Sequence, residues 1–426
     1  MKAVILAAGE GVRLQPITST RPKHLIRVGG RTILERCLES LKASGIDEML
    51  IVVHYMGDMI RQYFGDGQKL GVKIDYAEQK APVGTGDAAG VAEPHVKDEF
   101  LLVYGDLLFT GEAVRSVLDA HQKEKPAATM AVIPVDRPEN YGIVELERDR
   151  YVKRIVEKPS RQDAPTNLAN AGIYVFSPEI FESIRAISAS SRGEWEITDA
   201  ISLMLKQQKA LLAVRLSRED WFDIGRPWDL LEANAWALAK TKHKVAGLVE
   251  SGAHLVGPVT VAESARIRSG AYVEGPSLID EESDIGPNCY IRPFTSIGKR
   301  VRVGNACEIK NSILMDSAHV GHLAYVGDSI IGEGCNLGAG TITANYRLDA
   351  GTVKMMVKDR VVDTERKKLG AVLGDNVKTG INSLLMPGVK VGANSWVGPN
   401  VVVERDLPAD TIVLLKQSVE KTQLKP

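Results

Sequence analysis

Apolar residues follow two different rhythms along this chain, and the change falls near residue 248. Up to about residue 230, short aliphatic runs alternate with helical patterns. The runs 3–6, 49–53, 100–104 and 130–135 are aliphatic or β-branched and bounded by turn or polar residues, which predicts strands. Between the first two, Ile33, Leu34, Cys37, Leu38 and Leu41 recur at helical spacing. Such alternation predicts an α/β domain with a Rossmann-like, mainly parallel sheet covered on both faces. Ligands of such sheets sit outside the carboxyl ends of the strands, so the loops after Leu6 and Tyr104 are the ones to search.

From Val249 the period becomes six. Val249, Leu255, Val261, Ile267, Val273, Ile279, Ile285, Ile291, Ile297, Val303 and Ile309 follow one another at that spacing without a break. The phase slips by one or two positions at Leu314 and Ile331, then reappears at Leu373, Leu385, Val391, Val397 and Val403. A period of six fits neither an α-helix nor an alternating strand; it fits the hexapeptide-repeat β-helix. Each repeat forms one flat side of a triangular coil, and each coil buries its face only against its neighbours. The predicted organisation is a first domain over 1–230, a connecting helix over 231–247, and a left-handed parallel β-helix over 248–426. Trp228, Leu231, Ala235 and Leu238 mark the connector, which through Lys244 lacks the Gly, Pro and Ser of a flexible linker.

Composition narrows the class. With 53 basic and 54 acidic residues, nothing suggests a nucleic-acid surface or a polybasic membrane patch. The four cysteines, Cys37, Cys289, Cys307 and Cys335, include no Cys-x-x-Cys pair, which fits a reducing compartment better than disulfides or zinc. The chain enters a strand at once, without a signal-peptide pattern, and no apolar stretch approaches the roughly 20 residues that span a bilayer. The expectation is a cytoplasmic protein with small-molecule substrates.

The first loop reads Leu6-Ala7-Ala8-Gly9-Glu10-Gly11-Val12-Arg13. Glycines let backbone N–H groups approach a phosphate. Leu14 stands where a dinucleotide fingerprint has its third glycine, and no Gly-Lys-Ser/Thr follows, so neither a Rossmann fingerprint nor a P-loop is present. Alone, the loop is an ordinary strand–helix turn. Its company is specific: Lys23 in Arg21-Pro22-Lys23-His24, then Glu78-Gln79, Gly84-Thr85-Gly86-Asp87 and Gly105-Asp106. Glu157-Lys158-Pro159, Asn170-Ala171-Gly172 and Trp221-Phe222-Asp223 complete the set. Guanidinium and ammonium together suit a triphosphate, an amide side chain suits a nucleobase edge, and a carboxylate ending an apolar strand suits a cation.

In order and over the whole first half, this constellation resembles the sugar-1-phosphate nucleotidylyltransferases. The resemblance implies that Gly9, Gly11, Arg13 and Lys23 hold the nucleoside triphosphate, with Arg13 and Lys23 catalytic. It implies that Gln79 and Gly84 read the base, and that Asp106 and Asp223 bind Mg²⁺. It implies that Gly142, Glu157, Lys158 and Asn170 hold the sugar phosphate. Val12, where a small hydroxyl residue is usual, and His24, where Pro is common, depart from the pattern without removing a needed charge.

In the β-helix, a polar run interrupts the aliphatic period: His319-Val320-Gly321-His322-Leu323-Ala324-Tyr325-Val326-Gly327-Asp328, then Asn336-Leu337-Gly338-Ala339-Gly340-Thr341 and Asn345-Tyr346. This resembles the acetyltransferase half of the bifunctional GlmU enzymes, which make UDP-N-acetylglucosamine. The resemblance implies that His322 is the catalytic base and that Arg292, Lys310, Tyr325 and Asn336 bind glucosamine phosphate. It places Ala339, Asn345 and Tyr346 at acetyl-CoA, the acetyl donor, and makes His319 an ordinary exposed residue. It also implies a homotrimer or a dimer of trimers. The segment 353–369, with Lys354, Lys358, Lys367 and Lys368, reads as a hairpin leaving the coil, either contacting a phosphate or simply solvated. With the thymidylyltransferase-like first loop it points to an archaeal branch. UTP and dTTP are not distinguished. The alternatives are a monofunctional glucose- or mannose-1-phosphate nucleotidylyltransferase with a structural β-helix, and a sugar-nucleotide sensor with a degenerate site.

Overall fold

The strand Lys2–Ala7 shows why a sheet covered on both faces forms here. Ala3, Ile5 and Ala7 join one buried apolar cluster, while Val4 and Leu6 join another on the opposite face. In the computed structural model, which describes residues 1–190 and 192–424, this strand is central to a nine-stranded sheet. From one edge the strands are Lys73–Glu78, Glu48–Val53, Lys2–Ala7, Phe100–Tyr104, Leu168–Phe176, Ala128–Pro134, Leu211–Arg215, Tyr151–Glu157 and Gly142–Glu147. The first four are mutually parallel, and pairing beyond them is mixed. The sheet is thus Rossmann-like, parallel over its first four strands and mixed beyond.

The helix Ile33–Ala43 begins at Thr32, whose hydroxyl accepts from the Glu35 N–H at 3.1 Å while the Glu35 carboxylate accepts from the Thr32 N–H. Such a reciprocal cap contributes about 1 kcal/mol, so Thr32→Ala would fray this start. Leu34, Cys37, Leu38 and Leu41 are buried on its sheet-facing side, as their spacing predicts.

The second half is a left-handed β-helix whose strands stack into three parallel sheets of eight, nine and eight strands. The period-six residues from Val261 to Val403 line one continuous apolar cluster. Removing one such side chain, as in Ile309→Ala, would cost about 2–5 kcal/mol. Most stacked partners are eighteen residues apart, as in Ile279 with Ile297. At the phase slip the coil loses one residue: Ile297 stacks on Leu314, Val303 on Val320 and Ile309 on Val326. Ile331 then pairs directly with Leu373, so the chain between Asn345 and Leu369 leaves the coil without disturbing its stacking. Part of it forms the antiparallel hairpin of Lys354–Val357 and Arg360–Asp363.

Contacts divide the chain into two units. The helix Pro227–Ala239 belongs to the β-helix unit, where Asn234 donates to the Phe294 carbonyl at 2.9 Å and accepts from the Ser296 hydroxyl at 2.6 Å. Segments 12–20 and 27–30 belong to that unit as well. All four cysteines are buried free thiols. Among the described residues, no helix is long and apolar enough to cross a membrane.

Candidate functional sites

In the first unit the expected residues gather at the carboxyl ends of the parallel strands. Gly9 follows the strand Lys2–Ala7, and a Cβ there would meet no atom within 4 Å, leaving the backbone open to an approaching ligand. Gly11 has φ +65°. Lys23, only 5 % exposed, reaches Asp106 with Nζ 2.6 Å from Oδ2. Asp106 directly precedes the short strand Leu107–Phe109, which pairs antiparallel with Trp221–Asp223, so Asp223 stands opposite Leu107. The two carboxylates therefore lie one register step apart on adjoining strands. Tyr141 donates its hydroxyl to Asp223 at 3.2 Å. Two hard oxygen donors at an open strand end fit Mg²⁺, which takes one or two carboxylates and completes its shell with water and phosphate. Arg13 is exposed on the turn Val12–Leu14, which belongs to the second unit.

Gln79 is buried, with its amide nitrogen donating to the Gly84 carbonyl at 3.2 Å and to Asp87 at 2.8 Å. Gly84 has φ +132°, and a Cβ would lie 2.3 Å from the Trp195 carbonyl oxygen, so only glycine fits. Gly142 pairs with Glu157 across neighbouring strands; a Cβ on Gly142 would sit 2.9 Å from Glu157 Oε2 and 3.7 Å from Asn170 Cβ. Lys158 Nζ is 3.5 Å from Glu157. Gly142, Glu157, Lys158 and Asn170 thus form one group.

Around this group stand residues that the motif reading did not select. Thr198 donates to Glu157 at 3.0 Å, and Asn170 donates to the Tyr174 hydroxyl, itself 3.1 Å from that of Tyr104. Burial pushes the pKa of both tyrosines up. Arg192 joins Glu157, Glu194 and Glu196. Burial, reinforced by the neighbouring Glu157 charge, pushes the Glu196 carboxyl up to about 7. The run Arg192-Gly193-Glu194-Trp195-Glu196 was the available signal, a cation and two acids within five residues.

In the β-helix, stacking rather than sequence proximity builds the second group. Arg292, Lys310 and Tyr325 lie on successive coils of one sheet. Arg292 donates to Glu308 at 2.8 Å, and Lys310 Nζ lies 3.0 and 2.8 Å from the two oxygens of Asp328. Asn345 donates to the Tyr325 hydroxyl at 3.0 Å and to Asp328 at 2.5 Å. His322 is exposed at the last position of the strand His319–His322, just before the corner that leads to Tyr325. A Cβ on Gly304, one coil below, would come within 1.8 Å of the Gly321 carbonyl oxygen, so the coils beside His322 close up only over glycine.

Asn336 falls elsewhere: it stacks on His319, on the adjacent sheet, and is exposed. His319 is exposed too, its imidazole held below its ordinary pKa by partial burial and Arg302. Ala339 is half-buried at a turn, and Tyr346 is exposed and bridged to Lys368. Asp328 and Glu308 are the members of this group that the motif reading did not select.

The comparisons agree with these two architectures. The nucleotidyl transferase family matches residues 2–240, the GMPPB C-terminal domain family residues 273–386, and the bacterial transferase hexapeptide family residues 370–405. The chain is 41% identical over the full length of both chains to "Bifunctional protein GlmU" of Methanocaldococcus jannaschii. It is 39% identical to "Bifunctional sugar-1-phosphate nucleotidylyltransferase/acetyltransferase" of Sulfurisphaera tokodaii, over 96% of this chain and 98% of that one. A Bacillus anthracis structure described as a glucose-1-phosphate thymidylyltransferase superposes with TM-score 0.51 and 33% identity, covering 56% of this chain and 95% of the other. The chain is therefore an enzyme of the GlmU family, the bifunctional sugar-1-phosphate nucleotidylyltransferase/acetyltransferases.

Proposed function

We propose that the β-helix N-acetylates glucosamine-1-phosphate with acetyl-CoA and that the first domain couples the product to UTP, releasing pyrophosphate and UDP-N-acetylglucosamine. The observation that carries this reading is the stacking of Arg292, Lys310 and Tyr325 on successive coils, with Asn345 bonded to the Tyr325 hydroxyl, at the corner that follows His322.

The acetyl step needs a base because the attacking free amine must lose a proton to become an amide. His322 takes that proton as the glucosamine nitrogen attacks the thioester carbonyl. The C–N bond forms, the C–S bond breaks, and the proton goes on to the departing CoA thiolate. Arg292 and Lys310 hold the sugar phosphate while Tyr325 orients the sugar; Ala339, Asn345 and Tyr346 flank the acetyl donor.

The uridylyl step needs no base, since the attacking phosphate oxygen is already an anion. Its obstacle is the approach of two polyanions, which Arg13, Lys23 and Lys158 relieve by placing positive charge around the α-phosphate and the departing pyrophosphate. Gly9 and Gly11 admit the triphosphate to the backbone, Gln79 and Gly84 read the base, and Gly142, Glu157 and Asn170 hold the sugar. Asp106 and Asp223 would hold Mg²⁺, which would supply further neutralisation of phosphate charge. The enzyme is proposed to work in the cytoplasm as a homotrimer or a dimer of trimers.

A thiol-release assay with acetyl-CoA and glucosamine-1-phosphate, without nucleotide, tests the reading. Free CoA that disappears in His322→Ala is the expected result. No release from the wild type, beside normal pyrophosphate production from UTP and N-acetylglucosamine-1-phosphate, would reduce the β-helix to a scaffold.

A further inference from the structure

A carboxylate buried in a β-helix corner must be fully partnered or it is expensive. Asp328 is 2 % exposed, and its side-chain partners come from the two coils on either side of its own. Lys310 Nζ reaches both of its oxygens, Asn311 donates to Oδ1 at 2.7 Å, and Asn345 donates to Oδ2. Two of these partners, Lys310 and Asn345, carry proposed ligand contacts.

The backbone at this corner is tied to the same residue. The Asp328 N–H donates to the Lys310 carbonyl at 2.9 Å, and the Asp328 carbonyl accepts from Gly370 at 2.9 Å, where the chain returns from its excursion. Leu369 donates to the Asn345 carbonyl at 2.9 Å, closing that excursion at its neck. Lysine is a flexible point charge with three N–H donors. Two bonds to Asp328 fix where Nζ sits and leave at least one N–H for a ligand.

We propose that Asp328 is the positioning residue of the acetyltransferase site: it holds the Lys310 ammonium where the sugar phosphate is received. The inference rests on the glucosamine-phosphate reading of the Lys310 group. It goes beyond that reading in making phosphate selectivity a property of a buried acid that touches no substrate.

The experiment is steady-state acetylation, followed by CoA release, with glucosamine-1-phosphate and with glucosamine as acceptors. Asp328→Asn is expected to raise KM for glucosamine-1-phosphate about 10- to 100-fold, the usual weight of a charge-assisted hydrogen bond, with little change in kcat. Its kcat/KM for glucosamine, which has no phosphate to place, stays within about threefold of wild type. In a Lys310→Met background, Asp328→Asn adds nothing. An equal fall with both acceptors, an unchanged KM, or additive losses in the double variant would overturn the proposal. Should Asp328→Asn fail to fold, Lys310→Met/Asp328→Leu removes both charges together and is expected to match Lys310→Met on both acceptors. A weaker response to glucosamine in that double variant would also overturn it. Wild-type protein inactive towards glucosamine-1-phosphate defeats the site reading and this inference together. An active wild type with an unaffected Asp328→Asn defeats the inference alone.

Discussion

Each half of the molecule holds a lysine against an aspartate, and the two pairs are built in opposite ways. In the first unit the Lys23 side chain is 6 % exposed and its partner Asp106 35 %. In the β-helix the Lys310 side chain is 20 % exposed and Asp328 only 3 %. The acid faces outward in one pair and inward in the other. An outward carboxylate can be given up by its lysine to an incoming cation, while an inward one, with its acceptor sites filled, serves only to hold its lysine. On the proposed reading the same two side chains serve as a ligand in the first case and a strut in the second, with solvent exposure separating the roles.

Four tests press on that contrast. The largest effect is expected at the outward acid: Asp106→Asn, or Asp223→Asn beside it, lowers pyrophosphate release from UTP by about 10³-fold. Acetylation in the same preparation stays at the wild-type rate. His322→Ala does the reverse, cutting acetyl transfer by about 10²-fold and leaving pyrophosphate release intact. Loss of both activities in either variant would mean that the sites do not act separately.

The third concerns stability. Asp328→Ala strands Lys310 and two asparagine amides and is expected to destabilise the β-helix by about 1–3 kcal/mol, whereas Asp106→Ala, which strands the Lys23 ammonium, is expected to cost less. Calorimetry of the two variants side by side decides it, and equal shifts would erase the distinction between ligand and strut. The smallest effect follows from Glu196, whose carboxyl pKa is pushed up to about 7 by burial and Glu157. Because the folded protein then binds this proton more tightly than the unfolded chain, ionisation costs stability as pH rises from about 4.5 through 7. The melting temperature of Glu196→Gln should gain on wild type between pH 5 and pH 8, by about 2–4 °C for each kcal/mol.

Much of this architecture is legible in the chain because its period is geometric. Every sixth residue from Val261 to Ile309 points inward, since the flat sides of a coil share one length. The slips at Leu314 and Ile331 were legible as irregularities but not as a shortened coil. That shortening sets Lys310 beside Gly327 and brings Asp328 to the corner, so the acid could be assigned only once the stacking was known. Asn336 shows the same limit: motif order puts it with Tyr325, while the coil carries it to the neighbouring sheet with His319. In the first unit, Asp106 was legible because a charge ends an apolar strand. Arg192 and Glu196 lie in a loop without period, and only the fold sets them against Glu157.

The chain leaves the coil after Asn345 and returns at Leu369, where one backbone hydrogen bond closes the neck while Ile331 and Leu373 stack as though nothing had intervened. Evolution has there a docking port for new sequence: a loop of almost any length can be traded in, because closure cost grows only slowly with length and the scaffold carries none of the strain. Relatives that differ at this corner can diverge in what they admit to the neighbouring site while keeping one and the same spine.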